Sequence, residues 1–302
     1  MKDSMRLRAG CEMTLLAPSA APLIAMLRPR SGEAQFIVSE LYDFEPVVRA
    51  VEYVDVFGNL CQRLVVPPGG LRIRTEVVVD VDAAIAVGRG VPATPPEALP
   101  SEVLQFLLPS RYCPSDTFNQ TATDVVAASA PGYDQAEAVC AWIREHIQYR
   151  YGVSDGSTSA TDTLRDGAGV CRDFSHVGIS MCRALSIPAR MVVGYLHRLD
   201  PMDLHAWFEA FVDGRWYTFD ATQAEAKGGR IAVAYGRDAA DVALITQLAP
   251  LKTQDMKVWV AEAERGVERR GTGRGRTAVT PLATRNQCAA GRCAPLVARS
   301  QC

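Results

Sequence analysis

Asp213-Gly214, set between two strand-like runs, constrains this chain more than any other pair of residues. A two-residue hairpin loop needs positive φ, which Asp-Gly adopts readily, so the flanking strands must fold back antiparallel on each other. With these two residues as the loop, Val212 opposes Arg215, Trp207 opposes Asp220 and His205 opposes Thr222. Side chains alternate between faces with period two, so His205, Trp207 and Asp220 leave one face. His205 and Asp220 become diagonal neighbours, about 7–8 Å apart between backbones and within side-chain reach. A carboxylate so placed can hold one imidazole nitrogen and leave the other facing a nucleophile.

The rest of the chain divides around this hairpin. Residues 1–90 read as an antiparallel β-sandwich. The run Val47–Val56 leads through Gly58-Asn59, a two-residue turn signal, into Leu60–Val66, and β-branched alternation resumes over Leu71–Val81. Four prolines between 91 and 100 open a linker, taken as 91–110. A second domain, 111–262, starts with helices. Apolar positions recur at helical spacing over Gln135–Ile147, and a second helix is expected over Cys171–Ser186, stopped by Pro188. Between them, residues 152–169 are rich in Gly, Ser, Thr and Asp and read as a long exposed loop. Strands are expected over Ala189–Leu196, His205–Val212 and Arg215–Phe219. The fold class is therefore α+β, with helices packed on an antiparallel sheet after an N-terminal sandwich.

Composition decides against several functions. The chain is 48% hydrophobic and 22% charged, an ordinary globular balance. The formal charge of −2 hides a segregation. From Arg265 to Cys302 there are eight Arg and one acid, a charge of +7, so the preceding body carries −9. An acidic body argues against a nucleic-acid partner, and residues 263–302 read as a flexible basic tail. No run approaches the roughly 18 apolar residues of a membrane span. The short apolar run Ala20–Leu27 follows Asp3 and Glu12 and leads into Arg28-Pro29-Arg30, which does not fit a signal peptide. Cys11, Cys61, Cys113, Cys140, Cys171 and Cys182 lack paired spacing, so reduced thiols in a cytoplasmic protein are expected. Cys288, Cys293 and Cys302 lack a nearby fourth ligand, so no metal site is assigned.

One cysteine is placed differently. In Gly167-Ala168-Gly169-Val170-Cys171 a glycine-rich loop meets a helix start. Main-chain N–H groups and the helix dipole there stabilise a thiolate and can hold a developing oxyanion. Of the four histidines, His176 points some 140° away around the helix at about 100° per residue, and is read as a packing residue. His146 falls in the first helix, and His197 at a strand end. His205 alone has an acid on its face. Cys171, His205 and Asp220 therefore form a thiol–imidazole–carboxylate set. Asp173 lies in the helix's first turn, where it favours the macrodipole and opposes a nearby thiolate, so it is read as structural or amine-binding. Cys182, about 16 Å along the helix from Cys171, is read as core.

The stretches GAGVCRDFSH (167–176), IPARMVVGYL (187–196) and DLHAWFEAFVDGRWYTFDAT (203–222) resemble the transglutaminase-like superfamily of papain-type thiol enzymes. The likeness extends through KGGRIAVAYGRDAADVA (227–243), and the β-rich first part is similar to the N-terminal domain of bacterial members. The resemblance implies a papain-like core with Cys171 as nucleophile, His205 as general acid/base and Asp220 as orienting residue. It implies no cofactor, and a partner that is a peptide or protein bearing a glutamine side chain or peptide bond. Members with this triad hydrolyse amides, crosslink glutamine to amines, or serve as non-catalytic scaffolds. Hydrolysis is favoured here, because transfer needs a second, water-excluding amine surface that is not readable. A papain-type Gln before the nucleophile is absent, with Arg165 in that vicinity. Tyr151, with Tyr149 beside it, and Trp207 are the candidates for oxyanion or substrate binding.

Overall fold

The computed structural model describes residues 4–32, 34–264 and 279–281. In chain order the strands and helices are β1 (Ser4–Leu16), β2 (Ala21–Arg28), β3 (Gln35–Glu45), β4 (Ala50–Val54), β5 (Leu60–Val66), β6 (Leu71–Asp82), α1 (Asn119–Val125), α2 (Tyr133–His146), β7 (Gln148–Tyr149), α3 (Ala160–Asp166), β8 (Ala168–Gly169), α4 (Cys171–Ala184), β9 (Ala189–Leu196), β10 (His205–Val212), β11 (Arg215–Phe219), β12 (Arg230–Gly236), β13 (Ile245–Gln247), β14 (Lys252–Glu262) and β15 (Val279–Pro281). The fold is α+β, as expected: a β-rich first unit, then helices over an antiparallel sheet.

Two sheets form the first unit, in orders β14-β1-β6-β3 and β13-β2-β5-β4-β15. Strict alternation in β1 and β6 buries Leu7, Ala9, Cys11, Met13, Ile73, Val77 and Val79 against Leu23, Ala25, Leu27 and Leu64 of the facing sheet. The chain crosses between units more often than its linear order suggests. Lys252–Glu262, which sequence placed with the second domain, pairs antiparallel along β1, and β13 joins β2. Its mostly polar run fits an exposed edge strand, and only β1's need for a second neighbour selects that position. The backbone of Val279–Pro281 runs parallel to β4. The rest of the tail, including Cys288, Cys293 and Cys302, lies outside the described residues.

Three further differences are local. The β4–β5 turn spans Asp55–Asn59, with Val54 opposite Leu60. The Asp55 carboxylate accepts from the Phe57 and Asn59 N–H groups and sets this longer loop. The expected long loop contains α3, because Ser159 and Asp162 form a reciprocal capping box. Leu99, Val103 and Phe106, in the segment taken as a linker, are buried, and Leu99 and Val103 pack with Phe211.

The second sheet has order β11-β10-β9-β12. Asp213 (φ 46°) and Gly214 (φ 78°) make the tight turn, and Val212 pairs with Arg215 and Phe208 with Phe219. Helix α4 lies on β9 and β10 so closely that a Cβ at Gly178 would sit 2.4 Å from the Phe208 ring. Phe174, Val177 and Met181 of α4 and Phe208 and Ala210 of β10 belong to this unit's core. The open edge of β12 is covered by the first unit. Gln35 bonds both main-chain groups of Ala232, beside the irregularity between Ala232 and Ala234, and Asn59 does the same for Tyr235.

Candidate active site

Cys171 is the first residue of α4, delivered there by a short parallel pairing of β7 with β8. Asp173 is fully buried, and its carboxylate accepts from the Val170 N–H and from Arg172, closing the first turn. That is a capping role, and full burial keeps the carboxylate from an incoming amine. Arg172 also donates to the Asp155 carbonyl, which ties the 152–158 loop to the helix start.

His205, the first residue of β10, reaches over to this helix start. Its Nε2–H donates to Asp220 Oδ2 at 2.8 Å, since an ionised carboxylate can only accept. The Cys171 thiol lies near enough to the same imidazole to favour its charged form. Both side chains of the His–Asp pair are almost wholly buried, at 2% and 4% exposure. Burial opposes a charge on His205, but the bond to Asp220 and the nearby thiol outweigh it and raise its pKa to about 9. Burial likewise opposes ionisation of Asp220, yet His205, Arg230 and Thr222 hold its pKa below the usual carboxylate range.

Sequence reasoning missed Arg230. Its Nη2 donates to Asp220 Oδ2 at 2.8 Å, the oxygen that His205 uses, while Nε donates to the Lys227 carbonyl. Thr222 fills the other oxygen through its N–H and hydroxyl. Arg230 lies ten residues beyond Asp220 on the far side of the sheet, and no short motif announces it. Opposite pairing of β12 with β9 brings it in.

The aromatic candidates separate. The Tyr149 hydroxyl meets the Cys171 main chain. Tyr151 instead packs edge-on against the Tyr149 ring. The parallel pairing Tyr149↔Gly169 explains the difference, because Tyr151 lies in the turn past the strand's end. Burial, then the neighbouring thiol and Tyr151, raise the Tyr149 pKa above its ordinary value. Trp207 does not face the helix start. It projects from the face of β10 away from α4, beneath Arg230 and 6.2 Å from the His205 ring between centroids. His176 is fully buried, stacked on Tyr112, and accepts from the Ala239 N–H. Burial lowers its pKa to about 3, so it stays neutral and structural. The six body cysteines are free; five are buried and Cys171 is half-buried. Among the described residues no His, Cys, Asp and Glu cluster could hold a metal, and no helix is long and apolar enough to cross a membrane.

Residues 119–221, which contain Cys171, His205 and Asp220, match the transglutaminase-like superfamily. A Cytophaga hutchinsonii structure described as a candidate cysteine protease superposes with a TM-score of 0.80 at 31% identity, over 88% of this chain and 93% of that one. An uncharacterised Mycobacterium leprae protein is 28% identical over 235 residues, 72% of this chain and 83% of its own. An uncharacterised Mycobacterium tuberculosis protein is 30% identical over 191 residues, and the match spans 58% of each. With sequence likeness and fold agreeing over nearly the whole of a solved relative, the chain belongs to the transglutaminase-like superfamily.

Proposed function

We propose that this protein is a thiol enzyme that cleaves amide or peptide bonds through a thioester. The observation carrying this is the buried His205–Asp220 pair beside a half-buried thiol at a helix start. In the proposed reaction His205 holds the Cys171 proton as Sγ attacks the carbonyl. The C–N bond then breaks, and His205 passes that proton to the leaving amine. Water attacks the thioester next, giving one proton to His205, which returns it to Sγ as the acid departs. Tyr149, whose hydroxyl stands at the Cys171 main chain, supplies an oxyanion donor. The assignment of the Cytophaga relative as a candidate protease supports water as the acceptor. Free body thiols fit a reducing, cytoplasmic setting.

The test is to incubate wild type and Cys171→Ala with casein and dipeptides, with and without a labelled primary amine. New amino termini or released ammonia from wild type alone support hydrolysis. Covalent incorporation of the amine would move the reading to transamidation, and turnover by the alanine variant would end it.

A further inference from the structure

Among the described residues, Phe36, Tyr53, Tyr149 and Tyr151 hold their aromatic rings exposed. Phe36 and Tyr53 lie on strands of the first unit. Tyr149 and Tyr151, exposed by 44% and 58%, stand instead beside the helix start that carries Cys171. A ring left open forgoes the large gain of burying it, and a pair of them at a nucleophile marks a contact surface.

The two rings form a ledge that begins at the thiol's own turn of helix. Pairing of Tyr149 with Gly169 sets it beside the residue two before Cys171. The Tyr149 ring leans on Phe174, in the first turn of α4, at 5.7 Å between centroids. Tyr151 extends the row, 5.5 Å from Tyr149 and nearly perpendicular to it at 82°. Rings packed edge to face still offer free edges and faces to a third ring. Arg150, exposed between them, is the sole charged residue in 148–154, and it opposes a second cation on these faces.

We propose that this ledge selects substrates with an aromatic side chain on the residue whose carbonyl Cys171 attacks, and that Tyr151 sets the preference. The proposal rests on the reading of Cys171 as nucleophile and Tyr149 as oxyanion donor. A carbonyl held at the Tyr149 hydroxyl brings the side chain of its own residue next to the two rings. The substrate class is thus a peptide or amide with a phenylalanine-like or tyrosine-like acyl residue.

The test is the rate at which Cys171 displaces chloride from acetyl-phenylalanyl, acetyl-leucyl, acetyl-alanyl and acetyl-lysyl chloromethyl ketones, read by mass spectrometry on the full chain. The phenylalanyl reagent is expected to react at least about tenfold faster than the alanyl one, with leucyl between them and lysyl no faster than alanyl. Tyr151→Ala should cut the phenylalanyl-to-alanyl ratio to about threefold or less, and Tyr151→Phe should keep it. The ratio cancels any change in the thiol itself, and the wild-type comparison needs no variant to fold. Equal phenylalanyl and alanyl rates overturn the proposal. So does a leucyl or lysyl rate matching phenylalanyl, or a ratio untouched in Tyr151→Ala. Labelling needs no turnover, so the two readings fail separately. The preference without amide cleavage upholds the ledge and ends the hydrolase; cleavage without the preference does the reverse.

Discussion

Asp220 receives four hydrogen bonds: one from His205, one from Arg230 and two from Thr222. This crowding makes opposite predictions for two variants. In Asp220→Asn, burial dominates and the His205 pKa falls below its ordinary value. In Arg230→Gln, His205 becomes the sole cation on Asp220 and its pKa rises above about 9. A ring-proton titration by NMR reads both, and equal directions contradict the arrangement. The sign for stability follows. A histidine at about 9 when folded and about 6.5 when unfolded stabilises fully below pH 6.5. That contribution, roughly 3 kcal/mol, fades as pH rises through 9. Denaturant midpoints should therefore drop over this range in wild type but not in Asp220→Asn. Tyr149→Phe should lower kcat about a hundredfold, as loss of an oxyanion donor does, while leaving the alkylation rate of Cys171 nearly unchanged. At this scale the sequence showed what lies on one strand or hairpin. The His205–Asp220 contact and the place of Cys171 at a helix start were legible because a helix start and an Asp-Gly register are local. Arg230 and Tyr149 depend on β12–β9 and β7–β8 pairings, which no local pattern encodes.

Elements were read most easily where one chemical signal dominated. The three strands β9, β10 and β11 begin and end where alternation and the turn place them, and α4 starts at the residue expected. Helix α3 was hidden because a Gly/Ser/Thr-rich composition masked the Ser159–Asp162 capping pair. Ser159→Ala should cost about 1 kcal/mol in unfolding free energy and raise protease sensitivity over 152–166. A larger penalty falls where α4 meets β10. Gly178→Ala sets a methyl against Phe208 inside ordinary contact distance, and should destabilise by about 1–3 kcal/mol with the helix start displaced. Denaturant titration of this variant, compared with Gly156→Ala where a Cβ meets nothing, isolates the packing effect.

For the whole molecule, the units are joined by more than a covalent linker. The chain returns to the first sheets through β13 and β14, and side-chain amides of Gln35 and Asn59 serve as strand partners for β12. Such long-range pairings are invisible to periodicity, so a boundary set where the basic tail begins left Lys252–Glu262 with the second domain, apart from the β1 it pairs with. Gln35→Ala with Asn59→Ala leaves Ala232 and Tyr235 short of partners, about 1–3 kcal/mol for each buried group. Calorimetry should then show one transition for the wild type and two for the double variant. The proposed chemistry depends on one approach, of the Cys171 thiol to the His205 imidazole. The most direct measurement is the second-order rate of iodoacetamide alkylation at Cys171, read by mass spectrometry at pH 6 in wild type and His205→Ala. The account predicts that Cys171 reacts far faster than buried Cys182, and that the His205 variant loses about a hundredfold of that rate. A wild-type rate no faster than Cys182, or one unchanged without His205, would contradict it.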